Sequence, residues 1–410
     1  MKQAGNLDRG SVPIWVPFAL AAGPVVALGF ARFAYALILP AMSHALGWSL
    51  TMAGAMNTAN ALGYLLGALV AAPLARRGGL GRTFMVSVFG TSLALLADGF
   101  TGNSLLLAWW RFASGAAGGV AFVVGGGLVA QSTARESVHR AAFLLGIYFG
   151  GAGLGIVLSA WTVPFLLASF PQTVGWRVAW VTLGVLGLLT LTGVVPAMRH
   201  VVPGSPSGSN GSRTPPTLRR LRAVLITYGL YGTGYIVYMT FIVVFLQRHG
   251  VHPQEIIGFW TVLGSAAMVA AFLWGRLLAQ ASGGRGVAVL LGLVLSGVLL
   301  PLWSTSPLAV FGSAILFGSA FLAVVTSVTT VARRSLPMQQ WTAALGALTV
   351  VFGVGQSVGP FFAGWLSDGG GGVRFGIILS AVILGMGILT ALAQPDYHRA
   401  DEVDELTVSE

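Results

Sequence analysis

A chain of 410 residues, 55% hydrophobic and only 8% charged, excludes a soluble enzyme, a disordered tail and a secreted disulfide scaffold, since soluble domains carry roughly 25% charged residues. The formal charge of +11 does not point to nucleic acid, because the 22 Lys+Arg are scattered singly between apolar runs. With no Cys there are no disulfides, thiolate metal ligands or Cys nucleophile.

Several runs exceed 18 residues without a charge, enough to cross a bilayer core of about 30 Å as helix. They do not alternate apolar with polar residues, as the strands of a transmembrane β-barrel do. The fold class is therefore an all-α membrane protein with twelve transmembrane helices. The first six spans are expected at about 13–40, 49–75, 83–101, 104–131, 141–169 and 176–198. The second six fall at about 221–247, 255–280, 286–303, 307–331, 340–366 and 373–394. The run from Val12 to Met42 is too long for the apolar core of a signal peptide and is expected to remain as the first helix.

Residues 1–198 and 221–394 thus form two six-helix halves. Segment 199–220, with SPSGSNGSRTPP inside it, reads as a flexible linker. The acidic end 395–410 (Asp401, Glu402, Asp404, Glu405, Glu410) reads as a solvated tail.

Arginines orient the spans. Alternate loops hold fourteen: Arg76, Arg77, Arg82; Arg135, Arg140; Arg199, Arg213, Arg219, Arg220, Arg222; Arg276, Arg285; Arg333 and Arg334. The opposite loops hold Arg177, Arg248 and Arg374. Both termini and the linker are expected on the cytoplasmic side of a bacterial inner membrane.

The halves also echo each other. The second span ends in ARRGGLGR (75–82) and the eighth in QASGGRGV (280–287). The fifth carries GGAGLG (150–155) and the eleventh GVGQSVGP (353–360). Repeats of this kind mark a transporter with its substrate site near the midplane, between the halves.

Together with WWRFASGAAGG (109–119), these features resemble the major facilitator superfamily. ALGFARFAYALILPAM (27–42), NTANALGYLLGAL (57–69) and GVGQSVGPFFAGWLSD (353–368) are similar to its YbfB/YjiJ-like branch. The resemblance implies alternating access without covalent chemistry, hence no enzyme and no cofactor, and a monomer as the usual state. It implies gating or structural roles for Arg76, Arg77 and Arg82 in the basic turn and for Gly115, Gly151, Gly155, Gly359 and Pro360 within spans. The turn carries Ala75 and Arg76 where the superfamily usually has Ala-Asp-Arg. The fifth span lacks the Gly-Pro pair of many drug/proton antiporters, which counts against antiport.

Charges inside a membrane are costly and mark function. Arg32 and Arg111 are the two well inside spans, while Asp98 and Asp368 fall at span ends, so the arginines are expected to lack acid partners. Such a positive cavity favours an anion, and the planar guanidinium suits a carboxylate. Arg32 is expected to share a helix face with Gly29 and Tyr35. The second span aligns Asn57, Asn60 and Tyr64. The seventh aligns Tyr228, Tyr231, Tyr235 and Tyr238, and the eleventh offers Gln356 and Ser357.

The expected substrate site is therefore Arg32, Tyr35, Asn57, Asn60, Tyr64, Arg111, Tyr231, Tyr235 and Gln356, for a small organic anion. Efflux of a hydrophobic compound is an alternative. Cu(I) uptake through Met42, His44, Met52 and Met56 is a minor one. No resident metal site is expected. The partners expected are a small-molecule substrate and the lipid bilayer, not nucleic acid. ATP-driven transport is excluded, since Lys2 is the only lysine and no Walker motif exists.

Overall fold

Helix signals written into the sequence set the ends of the observed elements. The computed structural model describes residues 12–201 and 218–397, and every regular element among them is helical. Ser49 starts α2 (Leu50–Gly78) by accepting from Met52 N at 3.2 Å. Asn103 starts α4 (Ser104–Ser132) by accepting from Leu105 N and Leu106 N, and Ser137 does the same for α5 (Val138–Ser169). These side chains satisfy helix N–H groups that have no partner within the helix. Pro253 and Pro307 open α8 (Pro253–Leu273) and α10 (Pro307–Ser335), where a missing N–H costs nothing. Gly47, with φ +65°, closes α1 (Trp15–Leu46). The remaining helices are α3 (Leu80–Gly99), α6 (Gln172–Ala197), α7 (Arg222–Arg248), α9 (Arg285–Trp303), α11 (Trp341–Leu366) and α12 (Gly372–Leu392).

Among the described residues, eleven helices are long and apolar enough to cross a membrane, and α8 occupies the eighth place. Contrary to expectation, the eighth span is not continuous over 255–280. Helix α8 stops at Leu273, and a short helix, Gly275–Gln280, follows Trp274. The Trp274 indole donates instead to Ser319 O of α10 at 2.5 Å. Most of the expected linker, the N-terminal residues 1–11 and the acidic residues from 398 onward lie outside the described residues.

Within the first half α2 packs on α4, α3 on α4 and α6, and α1 on α5. The second half repeats this with α8 on α10, α9 on α10 and α12, and α7 on α11. Across the halves α2 meets α11, α5 meets α8, and α1 meets α7. Lipid tails are as apolar as Leu, so these contacts rest on close packing and interhelical hydrogen bonds. A methyl group at Gly115 would strike Asn60 O of α2, and one at Gly155 would lie 2.6 Å from Val25 O of α1. Helices α1 and α7 are the most enclosed, whereas outer faces carry exposed Phe89, Trp109, Phe165 and Leu189, the side chains that face lipid.

Asp368 joins the halves at the end opposite the arginine-rich turns. Its carboxylate follows α11 and accepts from Leu50 N (2.9 Å), Thr51 N (2.8 Å) and Thr51 Oγ1 (2.6 Å), so it caps α2 from the other half. A negative group at a helix N-terminus also meets the favourable end of the helix dipole. Loss of such a cap costs about 0.5–2 kcal/mol. Asp368→Ala is therefore expected to lengthen the distance between spin labels attached through the substitutions Thr101→Cys and Thr305→Cys, clean probes in a chain without cysteine. An unchanged distance distribution would show that the cap does not hold this end closed.

Candidate functional site

The site grows from an irregularity in α1. Over Val25–Phe33 the helix is π-helical, with hydrogen bonds to the fifth preceding residue, as in Ala34 N to Gly29 O at 2.9 Å. Such stretches are rare and gather at functional places. Gly29 and Gly155 leave the backbones of α1 and α5 in close approach here.

Arg32 sits in this stretch, 3% exposed. Its Nη2 donates to Gln356 Oε1 of α11, the oxygen that also accepts the Tyr235 hydroxyl of α7 at 2.7 Å. Its guanidinium carbon lies 5.2 Å from the centroid of the Tyr64 ring of α2, a cation–π distance. Nε has no hydrogen-bond partner, and among the described residues no carboxylate forms an ion pair with Arg32. Four helices from both halves thus converge on one guanidinium with a free donor.

The C-terminal half answers it with a wall of parallel rings. Tyr228 and Phe352 stack at 4.5 Å and 12°, Tyr231 and Tyr235 at 4.8 Å and 19°, and Tyr235 and Phe352 lie 5.8 Å apart at 7°. The Tyr231 hydroxyl donates to Phe321 O of α10. Asn57 crosses the interface to donate to Thr240 Oγ1 of α7, and its Oδ1 is left without a partner.

Tyr35 does not stand with Arg32, which corrects the helix-face expectation. The five-residue hydrogen bonding changes the number of residues per turn, so a spacing of three no longer aligns side chains. Tyr35 donates to Ala53 O at 2.8 Å, and its ring lies 4.7 Å from the guanidinium carbon of Arg111.

Arg111 forms a second, inner cluster within the N-terminal half. Its Nη1 donates to Ala31 O at 2.6 Å, and its guanidinium carbon lies beside the stacked rings of Tyr35 and Trp180, 4.7 and 5.0 Å from their centroids. Asn60 donates to Arg111 O (3.1 Å) and Ser114 Oγ (3.2 Å), tying α2 to α4.

Among the described residues no carboxylate forms an ion pair with Arg111 either, as expected for the embedded arginines. Asp98, in the last turn of α3, is fully buried in the same region but makes no ion pair with Arg111. Position along the span placed Asp98 at an end. Packing of α3 against α4 and α6 encloses it. Both Asp98 oxygens, Nε and Nη2 of Arg111, and Nε1 of Trp176 lack hydrogen-bond partners.

The other expected residues contribute no polar side chain to the Arg32 cluster. Arg76, Arg77 and Arg82 are exposed around the α2–α3 turn. Gly151 faces Ala21 O of α1, and Gly359 faces Thr233 O of α7. Pro360 O faces Gly54 across the halves. Met42 Sδ accepts from Trp180 Nε1 at 3.2 Å, Met56 is buried and Met52 is 37% exposed.

Sequence reading missed Phe352, Phe321, Thr240 and Trp180. Phe352 had a signal, since it lies one helical turn before Gln356. The others stand in apolar or small-residue stretches with no local mark.

Twelve apolar helices in two repeating halves, with a buried cation at their interface, define a polytopic membrane transporter rather than an enzyme. Residues 24–392 match the family model described as "Uncharacterised MFS-type transporter YbfB", and the chain belongs to that family of the major facilitator superfamily. It is 23% identical to the inner membrane transport protein YdhP of Escherichia coli strain K12 over 403 residues, 92% of this chain and 96% of that one. It is 33% identical to the gallate transporter of Pseudomonas putida over 138 residues, 33% of this chain and 30% of that one. In fold it is similar to a bacterial homologue of the human lysosomal transporter Spinster in an inward-facing, unoccupied conformation (TM-score 0.72, 16% identity, 96% of this chain and 99% of that one). It is likewise similar to the nucleoside transporter NupG (TM-score 0.70, 13% identity, 92% and 98%).

Proposed function

We propose that this protein is a secondary active or facilitative transporter of a small organic anion, working as a monomer in a bacterial inner membrane. The observation that carries this reading is Arg32, a buried guanidinium at the half-to-half interface with a free Nε and no ion pair to an acid among the described residues. A carboxylate there supplies both the missing hydrogen-bond acceptor and the missing counter-charge. The partial likeness to a gallate transporter, whose named substrate is an organic anion, supports it.

Residues 1–198 and 221–394 act as the two bodies that rock about this point, with 199–220 joining them. Both termini and the linker are cytoplasmic, which makes the Asp368 contact periplasmic. Gln356, Tyr235, Tyr231, Tyr64 and Asn57 border the substrate. Asn60, Tyr35 and Arg111 hold the helices that present Arg32. The basic turn with Arg76, Arg77 and Arg82, and the close contacts at Gly115, Gly151, Gly155, Gly359 and Pro360, serve the rocking motion.

The test is thermal stabilisation of the detergent-purified chain against carboxylates, sugars, amino acids, cationic dyes and Cu(I). A ligand present at 100 times its Kd adds roughly 2.7 kcal/mol to the folded state, enough to raise the Tm visibly. Stabilisation by carboxylates is the expected result. Stabilisation by lipophilic cations alone would replace this reading with efflux.

A further inference from the structure

Within the anion reading, on which this inference rests, the ring wall opposite Arg32 narrows the substrate class. We propose that the anion is a planar aromatic carboxylate, its carboxylate on Arg32 and its ring stacked on the Tyr228, Tyr231, Tyr235 and Phe352 array.

The array is not a generic apolar lining. Its rings lie within 7–19° of a common orientation across three pairs, with centroids 4.5–5.8 Å apart. Aromatic packing in a core usually mixes edge-to-face with offset arrangements, because the negative face of one ring attracts the positive edge of another. A shared orientation presents one repeated plane, which suits a flat guest.

The hydroxyls do not compete for that guest. Tyr235 donates to Gln356 Oε1 and Tyr231 to Phe321 O, so their polar ends are already occupied, while their faces stack on each other and on Phe352, a stack that a flat guest joins as the halves part. The hydroxyl of Tyr235 and Nη2 of Arg32 meet on the same Gln356 oxygen, which brings the end of the array to the guanidinium. From the other half, Tyr64 lies against the guanidinium and limits the ways a carboxylate can approach it. Arg32 Nε, buried and unpartnered, is the donor left for that carboxylate. An aliphatic acid would satisfy Arg32 equally but would not use the parallel faces. A lipophilic cation would use the faces but meet the charge of Arg32.

The experiment compares three ligands of similar size on the full-length purified chain by titration: benzoate, cyclohexanecarboxylate and benzamide. Benzoate and cyclohexanecarboxylate share the charge and differ in planarity and ring electrons, whereas benzamide keeps the ring and loses the charge. Benzoate is expected to bind about three- to ten-fold more tightly than cyclohexanecarboxylate, the range that stacking contributes beyond burial. Phe352→Leu is expected to bring that ratio close to one, because Phe352 makes no hydrogen bond and its loss leaves Arg32, Gln356 and Tyr235 joined. The comparison of ligands on the unaltered chain stands by itself if this variant fails to fold.

Equal binding of benzoate and cyclohexanecarboxylate, both lost in Arg32→Ala, overturns the aromatic assignment and leaves the anion reading standing. Binding of benzamide as tight as that of benzoate and unaffected by Arg32→Ala overturns the anion reading and the assignment with it. So does the failure of any carboxylate to bind.

Discussion

Arg32→Ala is expected to abolish carboxylate uptake into proteoliposomes while leaving the protein folded. Among the described residues no acid pairs with the buried Arg32, so its loss orphans no carboxylate there. Gln356 Oε1 keeps the Tyr235 hydroxyl at 2.7 Å, and Tyr64 loses only a cation above its ring.

The folded state therefore gives up one hydrogen bond and one cation–π contact, and it also gives up an expensive buried charge. A substrate carboxylate, in contrast, loses the guanidinium that binds it. Hydrogen bonds to charged groups contribute about 1.5–3 kcal/mol, or roughly ten- to hundred-fold in affinity. Arg32→Lys restores the charge without the planar fork and is expected to recover a small part of the flux. Uptake at the unaltered rate in Arg32→Ala, with a normal melting curve, would remove Arg32 from the substrate site.

Arg111 is expected to behave in the opposite way. Arg111→Met should lower stability, because it removes the Nη1 bond to Ala31 O at 2.6 Å and the cation beside the Tyr35 and Trp180 rings. Asp98 itself is buried without a hydrogen bond or ion pair, which is costly in its own right. The double variant Arg111→Met with Asp98→Leu is expected to recover part of the lost melting temperature, because it also removes that unpartnered buried carboxyl. A double-mutant cycle read by thermal melts decides this. A double variant that melts no higher than Arg111→Met would show that the buried carboxyl carries no such cost. The contrast between the arginines is then a contrast of position: one lies between the halves and meets a ligand, and the other lies within a half and holds it together.

Much of the fold is legible in the chain because lipid leaves the backbone little choice. Each span must satisfy its own N–H and C=O groups as helix, so run length and the absence of charge set the spans. The caps at Ser49, Asn103 and Ser137 mark where they begin. The site was legible in part for the same reason. A membrane protein with few embedded polar residues shows them individually, and Arg32, Tyr64, Tyr235 and Gln356 stand out against Val, Leu and Ala. The break in α8 at Trp274 was not legible, because the hydrogen bond that accompanies it runs to Ser319, 45 residues away.

By itself the sequence determined the helical class, the spans, the two halves and the polar residues available to a site, since each depends on local composition and period. Only the tertiary structure decided which of those residues meet. The π-helical turn of Val25–Phe33 put Tyr35 with Arg111 instead of Arg32. The packing of α3 turned Asp98 from an apparent span end into a fully buried, unpartnered carboxyl. The contact of α7 with α11 assembled Phe352 and three tyrosines into one stacked wall. Each of these outcomes depends on helix rotation and on the close approach of backbones distant in sequence, which a residue's immediate neighbours do not specify.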